Sequence, residues 1–393
     1  MNTYNSKLQA TNTTIQELIE IANSLPRITP SRNKLINFIE NGIVGEYINS
    51  GMTNFKTAAF ADCDKLTTIN LPNCISINSK AFCNCTSLTA ASFPKCINIG
   101  SNAFYNCDKL TTVTFPNCTT IGVSAFYNCT NLTTVDFPKC INIDNYAFRD
   151  CYNLSTISFP ECTSIDDYAF YNCSSLTTID FPKCKTINMS AFIGCNKLTK
   201  AIFPSCTIIG KSAFYDCFNL TTIDSPKCKT IGRSAFYNCS KLTKAIFPSC
   251  TGIGSDAFRH CRSLTTIDFP KCKTINECAF LKCSKLTTIN FPSCTNIVEA
   301  AFAYCNKLTT ANFSNCTTIA ASVFRYCYNL SSLTLGTSAV CILSNSNAFA
   351  STPFAGYSSY FSGTPAIYVP VSLLTSYQTA TNWTYFSKYM VGY

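Results

Sequence analysis

The chain has 393 residues, of which 47% are hydrophobic and only 13% charged, with a net charge of +10 and 28 cysteines. That apolar fraction excludes a disordered chain, and the lack of any run of about 18 apolar residues excludes a membrane-spanning helix. The lysines and arginines are spread along the chain without an extended run, so the positive excess supplies no nucleic-acid-reading motif and no nucleic acid is expected as a partner.

The first ten residues, Met1-Asn-Thr-Tyr-Asn-Ser-Lys-Leu-Gln-Ala, contain no apolar h-region, so no signal peptide is expected. Thr14-Ile-Gln-Glu17 reads as a capping box, and Pro26 ends the helix it opens, over about 13–25. Its apolar residues Ile15, Leu18, Ala22 and Leu25 extend back to Leu8. They form either a face that docks on the rest of the chain or a homo-oligomer seam over residues 8–25. Ser31 caps a second helix through Leu35, Ile36 and Ile39, which stops at Asn41-Gly42.

Residues 1–43 are thus expected to be a helical N-terminal cap, 44–350 a repeat array and 351–393 a mixed C-terminal cap. Val44 to Phe60 fits the repeat frame as an imperfect first coil, with Tyr47 in a strand slot and Met52 where a cysteine belongs. A leucine then returns every 22 residues from Leu66 to Leu330, 13 times without an insertion. Periods of this size mean stacked coils. One unit reads Leu176-x-x-Ile179-x-Phe181-x-x-Cys184-x-x-Ile187-x-x-x-Ala191-Phe192-x-x-Cys195. The alternation at Thr178-Ile179-Asp180-Phe181 predicts a short strand with Ile179 and Phe181 inward, stopped by Pro182. Ser190 to Cys195 predicts one helical or 3₁₀ turn on the opposite, convex wall.

The pattern follows the leucine-rich-repeat template. The units Ile121-Gly-Val-Ser-Ala-Phe-Tyr-Asn-Cys-Thr-Asn-Leu132 and Ile231-Gly-Arg-Ser-Ala-Phe-Tyr-Asn-Cys-Ser-Lys-Leu242 resemble the BspA-like (Treponema pallidum-type) leucine-rich repeats, and the likeness covers roughly residues 44–335. The expected fold is an α/β repeat solenoid: a right-handed coil of 22-residue repeats with one parallel β-sheet. The resemblance implies a recognition or adhesion role at a cell surface, as in host-associated bacteria, protists and some phages. It names no ligand.

Aligned on the repeat, the cysteines resolve into columns. Thirteen follow the Ala-Phe turn, Cys63 to Cys327, and twelve fill the slot after the strand, Cys74 to Cys316. Cys83, Cys278 and Cys341 fall outside them. Parallel, inward Cβ vectors are poor geometry for disulfides, so the columns are expected to be buried free thiols that act as small apolar residues and weak donors. Cys-x-x-Cys pairs are absent, and neither a metal nor a cofactor is expected.

From residue 176 to about 290 a 44-residue rhythm overlies the shorter one. Outward Asp180, Asp224 and Asp268 alternate with outward Ile202 and Ile246, while Lys200 and Lys244 replace threonine two positions before each isoleucine. Two readings stand for this face: a solvated sheet whose opposite charges pair diagonally between strands, or a binding surface formed by these seven residues. The paired lysines Lys183/Lys185, Lys227/Lys229 and Lys271/Lys273 make a basic stripe. On the other wall, Tyr105, Tyr127, Tyr171, Tyr215 and Tyr237 alternate with Arg149, Arg259 and Arg325, which suits either Tyr–Arg stacking or sugar binding.

After Leu335 the period fails. Ala348-Phe349 reads as a degraded coil, Ile367-Tyr-Val-Pro370 as a last strand, and Val371 to Ala380 as a helix that leads to Trp383 over the final apolar face. His260 is the only histidine, and no phosphate loop, carboxylate pair or nucleophile elbow accompanies it, so no enzymatic activity is expected. The functional expectation is a non-enzymatic recognition solenoid for a protein or glycan on a cell surface. A phage virion protein attached through its N-terminal helices is the alternative.

Overall fold

A computed structural model of the chain describes residues 45–48, 53, 57–356 and 363–393. Both expected N-terminal helices, the seam over 8–25 and Met52 lie outside the described residues. The chain divides into two compact units. The first runs to Cys184 and includes Gly194–Asn196, and the second comprises Lys185–Ile193 and Lys197 onward.

Within each unit the coils contribute a first strand of three to five residues and, from Ser76–Ile77 onward, a second strand of two, and all pairings are parallel. In the first unit Gly45–Ile48, Leu66–Asn70, Ala90–Ser92, Thr112–Thr114, Thr134–Asp136 and Thr156–Ser158 form one ladder in chain order. Tyr47 pairs with Ile69, as the strand-slot reading of the first coil requires. The alternation sets the faces: Ile179 and Phe181 are buried, and Thr178 and Asp180 are exposed. The expectation of one sheet needs correction. The post-cysteine dipeptides form a second parallel ladder, with five strands from Ser76–Ile77 to Ser164–Ile165 in the first unit and eight from Thr186–Ile187 to Ile342–Leu343 in the second. A Thr-Ile pair stacked on its own copy one coil away is already in strand register, so proline ends the first strand without ending β structure in the coil.

The wall expected to carry a helical or 3₁₀ turn is built differently. Asn102 and Asn106, flanking Ala103-Phe104, adopt the left-handed conformation at φ 56° and 57°. This turns the amides of Asn102, Phe104 and Asn106 toward the next coil, where they donate to the carbonyls of Val123, Ala125 and Tyr127 at 2.8, 2.7 and 2.9 Å. A helix would have used those amides internally. Asn, Asp and Ser tolerate this region best after glycine, and they hold most of the equivalent positions, from Asp62 to Asp256. Gly232 meets a different demand, because a Cβ there would lie 2.6 Å from the Gly210 carbonyl carbon.

Two phenylalanine columns fill the interior. In the first unit Phe82, Phe104, Phe126 and Phe148 stack at 5.1–5.2 Å along the turn wall. Phe93, Phe115, Phe137 and Phe159 stack at 5.4–5.5 Å beside the strands. The cysteines behave as weak donors in two regular ways. Turn-column thiols donate to the Phe carbonyl 25 residues earlier, as Cys107 to Phe82 and Cys239 to Phe214. Strand-column thiols donate two residues ahead, as Cys118 to Thr120. Cys341, expected outside the columns, in fact joins one: it is buried with its Sγ 3.9 Å from Cys316 Sγ, where the insertion after Leu335 returns the chain to strand register two residues late, with Ile342 opposite Thr318.

The C-terminal residues close the stack as expected, with one added element. Ala366–Val369 pairs with Ser332–Leu335, and Met390–Gly392, which the sequence pattern did not reveal, pairs with Ala366–Val369. Trp383 is fully buried, and its Nε1 donates to the Cys341 carbonyl at 2.7 Å. The hydroxyl of Tyr377 accepts the Cys341 amide at 2.9 Å. Polar tips on bulky rings therefore satisfy a strand that has no further coil to pair with.

The core can be tested in three ways. Ser225 occupies a phenylalanine slot; it is buried, and among the described residues its hydroxyl meets only the Cys206 thiol, a weak partner. Ser225→Phe should extend the ring column and stabilise the fold by ~1–3 kcal/mol, read as a higher urea midpoint; a lower midpoint would mean that the slot has collapsed. Burial raises the column thiols from an ordinary value near 9.0 to about 12 at Cys74, Cys118 and Cys162 and to about 11 at Cys96 and Cys250. The unfolded chain ionises first, so this stability is complete below the unfolded pKa and is lost as pH rises toward the folded values. Urea midpoints should fall steadily above about pH 9. Cys83 and Cys278 are the half-buried thiols, and iodoacetamide should modify them before any other.

Candidate functional site

In the second unit, parallel register sets the strand face residue by residue. Lys200, Ala201 and Ile202 lie opposite Thr222, Ile223 and Asp224. Lys244, Ala245 and Ile246 lie opposite Thr266, Ile267 and Asp268. Alternation buries Ala201 and Ala245 and turns out their neighbours. Lys200, Asp224, Lys244 and Asp268 are exposed, Ile202 is half-buried, and Ile246 keeps 38% of its surface in water. Asp180 is likewise outward, at the end of Thr178–Asp180 in the first unit.

The register places the opposite charges diagonally, as expected, and leaves them unbridged. Each aspartate faces an isoleucine directly, with the lysine two positions away across the strand, a diagonal of ~7–8 Å. Among the described residues neither Lys200 with Asp224 nor Lys244 with Asp268 forms an ion pair. Exposed charges at that spacing gain little from closing the gap. The face therefore presents separate cations and anions around partly exposed isoleucines, not a mutually neutralised lattice. The basic stripe is also uneven: Lys183 is held by Glu161 at 2.6 Å, whereas Lys227, Lys229, Lys271 and Lys273 are exposed.

The turn wall carries an aromatic ridge in each unit. Tyr105 and Tyr127 stack at 4.9 Å, and the Arg149 guanidinium lies 4.6 Å from the Tyr171 centroid and 5.5 Å from that of Tyr127. Asp150, itself buried, holds Arg149 at 3.3 Å. Beside the ridge runs a ladder of amides in left-handed positions: Asn84 donates to Asp62, Asn106 to Asn84, Asn128 to Asn106 and Asn172 to Asp150, at 2.9–3.1 Å. In the second unit Asn238 donates to Asp216, and the column then changes to His260, Lys282, Tyr304 and Tyr326. Burial, and after it the charges of Lys282, Arg259 and Arg262, hold the His260 imidazole below its ordinary value, so it is neutral at pH 7. Comparing the residue two places after each turn phenylalanine would have exposed this change in the sequence.

Stacked 22-residue coils with two parallel ladders, a turn wall and buried Leu, Phe and Cys columns define a leucine-rich-repeat solenoid, here of about 14 turns. The BspA type leucine-rich repeat region matches residues 53–176, 141–258 and 229–355 in 6 copies, and the chain belongs to that family. Among solved structures it is similar to a leucine-rich repeat protein from Bacteroides ovatus, with 22% identity over 85% of this chain and 80% of that one and a TM-score of 0.60, which shows a shared fold. It is also similar to a leucine-rich repeat protein from Eubacterium ventriosum, with 23% identity over 81% and 91% of the two chains and a TM-score of 0.46. A leucine rich cell surface protein from Faecalibacterium prausnitzii shares 26% identity over 76% and 84%, with a TM-score of 0.38. No curated protein matches in sequence. Among the described residues no helix is long and apolar enough to cross a membrane. Membership of this repeat family suggests a protein-binding or adhesion role.

Proposed function

We propose that the chain is a non-enzymatic recognition or adhesion protein that binds a protein partner at a cell surface through its strand face. The site centres on Lys200, Ile202, Asp224, Lys244, Ile246 and Asp268 in the second unit, and Asp180 supplies the same outward carboxylate in the first. The observation that carries this reading is Ile246, 38% exposed and directly opposite Asp268 on a face where threonine is the commoner choice. Exposed isoleucine gains ~25 cal/mol per Å² only when a partner covers it, and unpaired charges beside it orient that partner. A protein surface suits such an apolar and charged mixture better than a neutral glycan does.

Beads coated with the chain should attach to cultured animal or bacterial cells. The double variant Ile202→Thr, Ile246→Thr should attach several-fold less, with its stability changed by no more than ~0.5 kcal/mol. Undiminished attachment at unchanged stability would remove the strand face from the reading, and failure of the wild-type beads to attach to any cell type would remove adhesion.

A further inference from the structure

Where the amide ladder of the second unit gives way to His260, Lys282, Tyr304 and Tyr326, the turn wall opens into a groove of about 330 Å³ lined by Arg262, Lys282, Ser284, Tyr304 and Asn306. Arg262, Ser284 and Asn306 hold one repeat position in three successive coils, and Lys282 and Tyr304 hold the left-handed position beside it. Both charged residues in the lining are cations. Among the described residues neither forms an ion pair, whereas nearby Arg259 is held by Asp256 at 3.0 Å. Tyr304 is 37% exposed and is backed by Tyr326, its ring centroid 4.5 Å away; Lys282 Nζ lies 5.7 Å from the Tyr304 ring centroid. Lys282 and Tyr304 have φ of 63° and 61°, a region that side chains other than Asn and Asp enter at a conformational cost. The fold does not need these residues there, since Asn and Asp serve the same position in earlier coils and add a ladder hydrogen bond.

We propose that this groove binds a sugar ring bearing a carboxylate, of the uronic or sialic acid class. The carboxylate sits between Arg262, whose guanidinium matches it two-pronged, and Lys282. The apolar side of the ring packs along the exposed edge of Tyr304, and Ser284 and the side-chain oxygen of Asn306 meet its hydroxyls, while the Asn306 amide nitrogen donates to the Tyr304 and Tyr326 carbonyls. A site of this size is at the small end of ligand pockets, ~300–1,000 Å³, which suits one ring with its substituents. Two cations and a backed aromatic within one groove suit a single acidic ring. The site is separate from the strand face and stands or falls independently of it.

The test is calorimetry and saturation-transfer NMR on the full chain with sialyllactose, a glucuronic acid disaccharide, lactose and inorganic sulfate. An acidic sugar should bind at least about 10-fold more tightly than lactose, because a hydrogen bond to a charged group is worth that much or more. Lys282→Asn with Arg262→Gln should abolish the preference without lowering the melting temperature, since asparagine is the column's usual residue. Tyr304→Asn should weaken both sugars and erase the ring signals in the NMR difference spectrum. The strand-face double variant should bind the acidic sugars as the wild type does. No binding of either acidic sugar, equal binding of lactose, sulfate binding as tight as the sugars, or indifference to Lys282→Asn with Arg262→Gln would each overturn the proposal.

Discussion

The structure depends on one constraint, that every coil must satisfy its backbone on a copy of itself 22 residues away. The amide of Thr111 donates to the Thr89 carbonyl at 2.9 Å, and its hydroxyl donates to the same oxygen at 3.0 Å. Gly122 donates to Ile99 and Asn128 to Arg149, at 2.8 Å each. These four bonds lie on three different sides of the coil. Buried backbone groups left unpaired would each cost as much as a lost hydrogen bond, so one insertion anywhere in the unit would unpair several at once. This explains why the period runs from Leu66 to Leu330 without a change of length, and why the insertion after Leu335 occurs where the chain stops coiling and turns to closing its own end.

The fold was legible because the constraint writes itself into spacing. Inward residues recur in register, and the alternation around Ile179 and Phe181 fixed the strand faces correctly. The thiols were readable for the same reason: parallel Cβ vectors argue for donors over disulfides, and Cys107 and Cys118 donate to carbonyls in the two columns. The turn wall was misread because a short segment rich in small residues resembles a helical turn on composition. Its true signal is the pair of Asn, Asp or Ser residues flanking Ala-Phe, which reports a backbone conformation that hydrophobic patterning cannot express. The second ladder was missed because two residues are too few to show a period of two.

The candidate surface was legible only in part. The sequence pattern located the outward Lys, Ile and Asp residues, because position within the strand decides direction. The 22-residue period likewise implies the register that sets Ile246 against Asp268 and Lys244 against Thr266, and with it the diagonal placement of the opposite charges. What spacing does not express is whether side chains close that diagonal, which decides whether the charges cancel or remain available.

The repeat also separates what the fold uses from what it leaves open. Positions facing the core admit almost one residue type each, and the one polar residue in the strand-column phenylalanine slots of the second unit, Ser225, has a buried hydroxyl that is poorly satisfied among the described residues. Outward positions carry no such penalty, so their composition drifts freely unless something external acts on them. Free drift predicts substitutions that are at least tolerable where they fall. The left-handed column two places after the turn phenylalanine behaves otherwise in the second unit: after Asn238 it gives up the residues that build the amide ladder for a histidine, a lysine and two tyrosines at four consecutive turns. Local conformational preference runs against the lysine and the tyrosines, though not the histidine, and the ladder hydrogen bonds are lost with the change. A column that gives up its own ladder at four consecutive turns points to chemistry outside the fold as the reason.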